Sequence, residues 1–239
     1  MHNFITDNLA RYLEYLSFCG RFVLHPIARS LEIARAEDRL KTSAIYFSFG
    51  LLTATILSAL VSGADVGDPA YFLSSMITGF AFVFVGFLSH AIAWKIWKHD
   101  GNLGTFLTTG FLTSSATVLF FSITHSIYSG VLKGFALSLY TKVQAITFDC
   151  NLGIMDRVVN ANEAVASSPL YLGAVMILGV TNILFFLVYG IANFRTNLRL
   201  FPMAIWRRVA VICTVAVIFP PLYSAATLLS LGIQLSTCN

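Results

Sequence analysis

The chain has 239 residues, of which 57% are hydrophobic and only 11% charged, with 15 Lys/Arg against 11 Asp/Glu and a mean hydropathy of +0.78. A water-soluble globule carries about 25% charged residues, so this composition excludes one: too few charges are present to cover its surface. The net charge of +4 includes no Lys/Arg-rich run interleaved with aromatics, which argues against a nucleic-acid partner.

Residues 1–41 read as cytoplasmic amphipathic interfacial helices. "NFITDNLARYLEYL" places Ile5, Leu9, Tyr12, Leu13 and Leu16 on one face, with Asp7, Arg11 and Glu14 opposite. In "HPIARSLEIARAEDRLK", Pro26 takes the position that opens a helix, and Arg29, Glu32 and Arg35 share an exposed face. Such a segment serves as an anchor on the lipid bilayer or as a docking surface for a partner. It lacks the short apolar core and small-residue cleavage site of a secretory signal, so the first span is expected to act as the insertion signal.

Five uncharged runs follow: Thr42–Ala64, Pro69–Trp94, Leu103–Leu132, Ala164–Phe194 and Val209–Asn239. Each exceeds the roughly 20 residues that cross about 30 Å of hydrocarbon as a helix. Their length excludes a β-barrel, whose alternating strands need only about 10 residues. The fold class is therefore all-α: a polytopic membrane protein with a bundle of five transmembrane helices. The expected spans are 43–63, 71–94, 104–129, 169–193 and 208–234, within a transmembrane domain covering 42–239.

Orientation follows from the loops. The N-terminal segment, the loop at 95–104 and the loop at 193–208 together hold 12 Lys/Arg, and the opposite side holds three, Lys133, Lys142 and Arg157. That asymmetry predicts a cytoplasmic N-terminus and a periplasmic C-terminus in an inner membrane.

The third span opens with "HDGNLG", in which Asp100 and Asn102 favour turns and caps. Thr105, Thr109, Thr113 and Thr117 then recur every four residues, with Gly110 and Ser114 adding a small-residue step. Lipid offers no hydrophobic gain for burying side chains between helices. Small residues that let backbones approach, and hydroxyls that bond across or back to their own carbonyls, explain this pattern as a helix contact. The spans beginning near residues 72 and 103 are expected to pack as an antiparallel hairpin through Gly79 and Gly86 against Gly110 and Ser114.

Two histidines fall in spans, and ionisable groups at that depth are polar or proton-site candidates. His90 lies near the cytoplasmic end and His125 near the outer end, so about 30 Å of helix separates their levels and they do not share a metal. Both are expected to contact the hydroxyl-rich faces through hydrogen bonds. No H-E-x-x-H or Cys/His cluster is present, and no cofactor is implied. There is no G-x-S-x-G elbow, and "GNLGT" lacks the Lys of a phosphate cradle. The spans hold no Asp or Glu, against an intramembrane aspartyl protease and most carboxylate-coupled transporters.

The outer-face segment 132–168 carries helical spacing in "FALSLYTKVQAITF" and "GIMDRVVNANEAVA", separated by "DCNLG". In the last span, Pro220 and Pro221 predict a kink, break or hinge. Of the four cysteines, Cys19 and Cys213 belong to the reducing side. Cys150 and Cys238 fall on the outer side, where a disulfide would close a loop of roughly 90 residues, contributing about 4 kcal/mol.

The five-span plan, the "HPIARSLEIA" stretch and "SHAIAWKIWKHDGNLGTFLTTGFLTSSATVLF" (residues 89–120) resemble the Yip family, five-span Rab-interacting-type membrane proteins with bacterial relatives. The likeness spans residues 20–232 in topology and 89–120 in motif, with Asp100–Gly101 where a double glycine is common. It implies no enzymatic activity and no catalytic residues, and a role in organising membrane or partner proteins. The expected function is a non-enzymatic accessory or scaffold subunit that binds other membrane proteins, in a complex or as a homo-oligomer. The alternative is a transporter or channel component that passes a small solute or lipid along the hydroxyl-lined helix. The lack of an inverted repeat favours the first.

Overall fold

Each of the five apolar runs is carried by one long helix that reaches into flanking charged residues, although the fourth run takes in the last three residues of the preceding, shorter helix. The computed structural model describes residues 2–62, 69–97, 102–147, 149 and 151–236. Among them every regular element is α-helical: α1 (His2–Leu24), α2 (Pro26–Ala34), α3 (Arg39–Ser62), α4 (Pro69–Ile96), α5 (Leu103–Phe135), α6 (Leu137–Thr147), α7 (Ile154–Ala166), α8 (Pro169–Leu200) and α9 (Ile205–Ser236). The five long ones, α3, α4, α5, α8 and α9, have the length and apolarity to cross a membrane.

Local signals set several boundaries. Pro26 and Pro169 occupy the first turns of α2 and α8, where a missing N–H costs nothing. Asn102 caps α5, its side chain accepting from the Gly104 N–H at 2.8 Å, and Ser168 caps α8. The expected pair of helices in 132–168 is present as α6 and α7.

Helix α5 is the axis of the bundle: half of its span is buried, against 6% for α8. It packs against α3 on one side and α8 on another, while α4 pairs mainly with α9. At the end carrying Arg39, Lys95, Arg199 and Arg208 (the basic end), Ala93 and Trp94 of α4 meet Phe106 of α5, Met203 of the α8–α9 connection and Val211 of α9. Trp97 follows α4 and donates to the Thr214 hydroxyl at 3.0 Å. At the far end, α6 and α7 fold over the bundle, with Tyr140, Val143 and Ala164 closing on Leu132 and Tyr171.

The tightest helix approach is not the expected α4–α5 hairpin. It joins the parallel pair α3 and α5, where a methyl group added at Gly50 would sit 2.9 Å from the Ser115 carbonyl oxygen and 3.2 Å from its Cα. Gly110 does face α4, through the Phe87 ring, but Gly79 is covered by Leu51 of α3 and Gly86 opens toward Phe219 of α9. Ser114 is half-buried. An α4 crowded with phenylalanines presents rings where a close hairpin would need bare backbone.

Lys133 ties the far end together. Its ammonium donates to the Val61 carbonyl in the last turn of α3 and lies 5.2 Å from the centre of the Tyr140 ring. A cation at a helix C-terminus satisfies an orphan carbonyl and complements the dipole. Lys133→Met is expected to cost about 1 kcal/mol, lowering Tm by 2–4 °C in a thermal melt of detergent-solubilised protein.

The prolines of the last span do not break it. α9 stays helical from Ile205 to Ser236 through Pro220 and Pro221, and both rings are exposed at the bundle surface. A full break would strand carbonyls and amides where no water can bond them, so the helix tolerates the prolines instead.

Candidate functional site

The amphipathic segment at the start of the chain packs against the bundle, in contact with α3, α5 and α8. α1 has three faces. Tyr15, Phe18, Cys19 and Phe22 are buried against Leu112, Ala116 and Leu119 of α5 and Tyr189 of α8. The Tyr15 hydroxyl donates to the Ser115 carbonyl at 3.1 Å, and Tyr12 shares a 2.9 Å hydrogen bond with Thr53. Both partner residues lie well inside their long helices: Thr53 is near the middle of the stretch Arg39–Val61.

The order of ring contacts gives the direction. Phe18 touches Tyr46, Tyr15 touches Tyr46 and Phe49, and Tyr12 touches Phe49, so α1 runs antiparallel to α3 with its N-terminal half toward the far end. The second face carries Leu9, Leu13, Leu16 and Leu24, all exposed. Between them runs a narrow flank of alternating charge, Asp7, Arg11, Glu14 and Arg21, spaced by three, four and seven residues and also exposed. Among the described residues none of these four makes an ion pair; the pair present is Arg29–Glu32 on α2. Asp7 lies five residues before Tyr12, about 7 Å further along the helix axis, which still falls within the span of α3.

The hydroxyl ladder of α5 faces inward. Thr105, Thr109 and Thr113 are buried and Thr117 is half-buried. Most of the protons stay within the helix: Thr108 donates to Gly104, Thr109 to Phe106, Ser115 to Leu112, Thr117 to Thr113 and Ser122 to Val118, at 2.7–3.1 Å. One bond crosses to a neighbouring span, between Thr109 and the Asn197 side-chain oxygen of α8 at 3.0 Å, with Asn197 itself 1% exposed. The Thr113 hydroxyl is buried without a partner. Hydroxyls spent on their own carbonyls make poor ligands for a moving solute and good packing groups.

The two histidines sit in unlike surroundings. His90 does not reach a hydroxyl: its ring is surrounded by Trp94, Phe106 and Phe194, with centroids 5.9–6.4 Å away, and its Nε2 is buried without a partner. Aromatic bulk at the basic end fills the space that a hydrogen-bonding neighbour would need. His125 is exposed and lines a cavity of about 250 Å³ in the far half of the bundle, together with Ser58 of α3, Phe121 and Ser122 of α5, and Asn182 of α8. The histidines thus belong to opposite halves, and among the described residues no group of three His, Cys, Asp or Glu gathers for a metal.

The residues missed by sequence reasoning are Gly50, Tyr15, Asn182 and Asn197. Asn182 carries a signal, since an amide inside an apolar run is costly at membrane depth; Asn197, between Arg195 and Arg199, carries none. Gly50 carried none beyond being a glycine in a span. Cys150 and Cys238 lie outside the described residues. Cys19 is buried and Cys213 exposed, both as free thiols. The chain matches no family model, no curated protein and no solved structure.

Proposed function

We propose that this chain is a non-enzymatic membrane subunit of accessory or scaffold type, which binds partner membrane proteins and holds a complex together. The observation that supports this reading is the charged flank of α1. Asp7, Arg11 and Glu14 lie beside a bundle that gives them no counter-charge, next to leucines suited to lipid. A charged side chain at the centre of a bilayer costs about 2.5–3.5 kcal/mol on insertion scales unless it is paired. A partner helix bearing complementary charges removes that cost, and alternating signs along the flank select its register.

The inward-turned hydroxyls of α5 favour this reading over a transporter or channel component. The positive-inside asymmetry supports placing the basic end in the cytoplasm, in a bacterial inner membrane, and the resemblance of residues 89–120 to the Yip family fits an organising role.

The test is site-specific photo-crosslinking in native membranes, with the photoreactive residue at position 10 or 17, beside the flank, or at Leu60 on a bundle surface away from it. The expected result is one adduct of discrete mass from positions 10 and 17 and none from Leu60. Arg11→Gln combined with Glu14→Gln should abolish the adduct while leaving Tm unchanged or raised. No adduct from the flank, or one indifferent to the double substitution, ends the reading.

A further inference from the structure

We propose that the cavity in the far half of the bundle is a binding site for the uncharged, hydrogen-bonding head of a membrane-dissolved amphiphile, that is, a hydroxyl or carbonyl group carried on an apolar tail. Three different spans deliver polar side chains to this one place: Ser58 from α3, Ser122 and His125 from α5, and Asn182 from α8. Each lies inside a stretch that is otherwise apolar, where a polar group costs free energy unless it is bonded.

The bonding within the protein is incomplete. Ser122 donates to the Val118 carbonyl at 2.9 Å and keeps its oxygen lone pairs as acceptors. The Asn182 side-chain oxygen is buried with no partner, and so is the hydroxyl oxygen of Ser126, one residue beyond His125. An amide whose one end is unsatisfied and whose body lines a cavity is set for a ligand that brings both a donor and an acceptor.

Shape and charge narrow the class. The volume of about 250 Å³ holds a head group of several heavy atoms, about eight waters' worth at 30 Å³ each. Among the described residues no carboxylate, Lys or Arg lines it, so none of them repays the desolvation of a phosphate or an ammonium. Phe121 supplies an apolar wall. Ser58 and His125 are exposed at the bundle surface, and Ile123, Ile127 and Ile183 nearby along α5 and α8 are exposed as well. A ligand therefore enters sideways from the lipid, head inward, with its tail left along apolar side chains. Two sources share this chemistry, a quinol and a neutral glyceride, each with a hydroxyl to donate to the Asn182 oxygen and an oxygen to accept.

Photolabelling of the purified full-length chain in phosphatidylcholine nanodiscs decides the matter, with an azidoquinone held in its reduced quinol form, a diazirine-bearing diacylglycerol and a diazirine-bearing fatty acid as probes. One of the two neutral probes should label α5 between residues 118 and 128 or α8 between 178 and 186, saturably and in competition with its unlabelled parent. Which of the two does so identifies the source. Asn182→Leu should cut saturable labelling about tenfold, the loss expected when one buried hydrogen bond is removed. Ser122→Ala, whose hydroxyl bonds only its own helix, preserves the fold and should reduce labelling several-fold. Non-saturable labelling by both neutral probes, labelling indifferent to both substitutions, or equal saturable labelling by the ionised fatty acid overturns the proposal.

Discussion

Gly50→Ala should destabilise the protein by about 2–3 kcal/mol, even though the same change in an ordinary helix interior stabilises by up to about 1 kcal/mol. The sign is inverted because the new methyl group meets backbone. It would lie 2.9 Å from the Ser115 carbonyl oxygen and 3.2 Å from the Ser115 Cα, with the Tyr15 hydroxyl at 3.0 Å on another side. Two of these are backbone atoms, and the third, the Tyr15 hydroxyl, is held by its hydrogen bond to the Ser115 carbonyl. The helices must part, and the contact that centres the bundle on α5 loosens along its length. Gly134→Ala provides the contrast, since nothing lies within 4 Å of the added methyl there. A thermal melt of the two variants beside the parent protein is sufficient. A Tm fall of about 5–10 °C for Gly50→Ala, with no fall for Gly134→Ala, is the expected pattern. Equal Tm values for both would refute the close α3–α5 approach.

Tyr15→Ala should cost about 3–5 kcal/mol, comparable with truncating a large aromatic in a soluble core. Tyr15 is 0% exposed, its ring packs against Tyr12, Tyr46 and Phe49, and its hydroxyl satisfies a carbonyl of α5. Tyr15→Phe keeps the ring and loses only the hydrogen bond, about 1 kcal/mol. Cys19, one turn further on in the same contact, is a built-in reporter at 3% exposure. In the parent chain its thiol should resist a maleimide under native conditions. In Tyr15→Ala it should react many times faster, with Tyr15→Phe in between. Fast alkylation of Cys19 in the parent chain would mean that α1 does not occupy its groove.

The spans were legible because crossing a membrane makes a demand on length alone, which an uncharged run such as Pro69–Trp94 meets without knowledge of its neighbours. Pro26, Asn102 and Ser168 were equally readable, since a cap or first-turn proline is decided within four residues. Helix pairing was not. In water, the apolar face of a helix reveals which side packs, but in lipid both sides are apolar and the packing face differs from the lipid face in shape more than in polarity. Gly50 against Ser115 is such a contact, and nothing near either residue in the sequence distinguishes it from Gly79 or Gly86. The same ambiguity hid the packing face of α1: the apolar stripe read from the sequence, with Leu9 and Leu13, is the exposed one, whereas the bundle buries Tyr15, Phe18 and Phe22. His125 was legible as a polar group in a span, but its company of Ser58 and Asn182 depends on three helices meeting.

The hydrogen bond from Tyr15 to Ser115 spans 100 residues of chain. α1 therefore leaves the ribosome long before its groove exists, and at about 5–20 residues per second it waits roughly 5–20 s for α5 to be made. During that interval its aromatic face has nothing to pack against except the membrane surface, which its amphipathic sequence suits well. A helix made well before its groove is thus seated late, once the α3–α5 pair has formed. A nascent chain stalled before residue 115 should hold α1 at the lipid–water boundary, exposed to ribosome-associated factors, and the seating of α1 marks completion of the bundle.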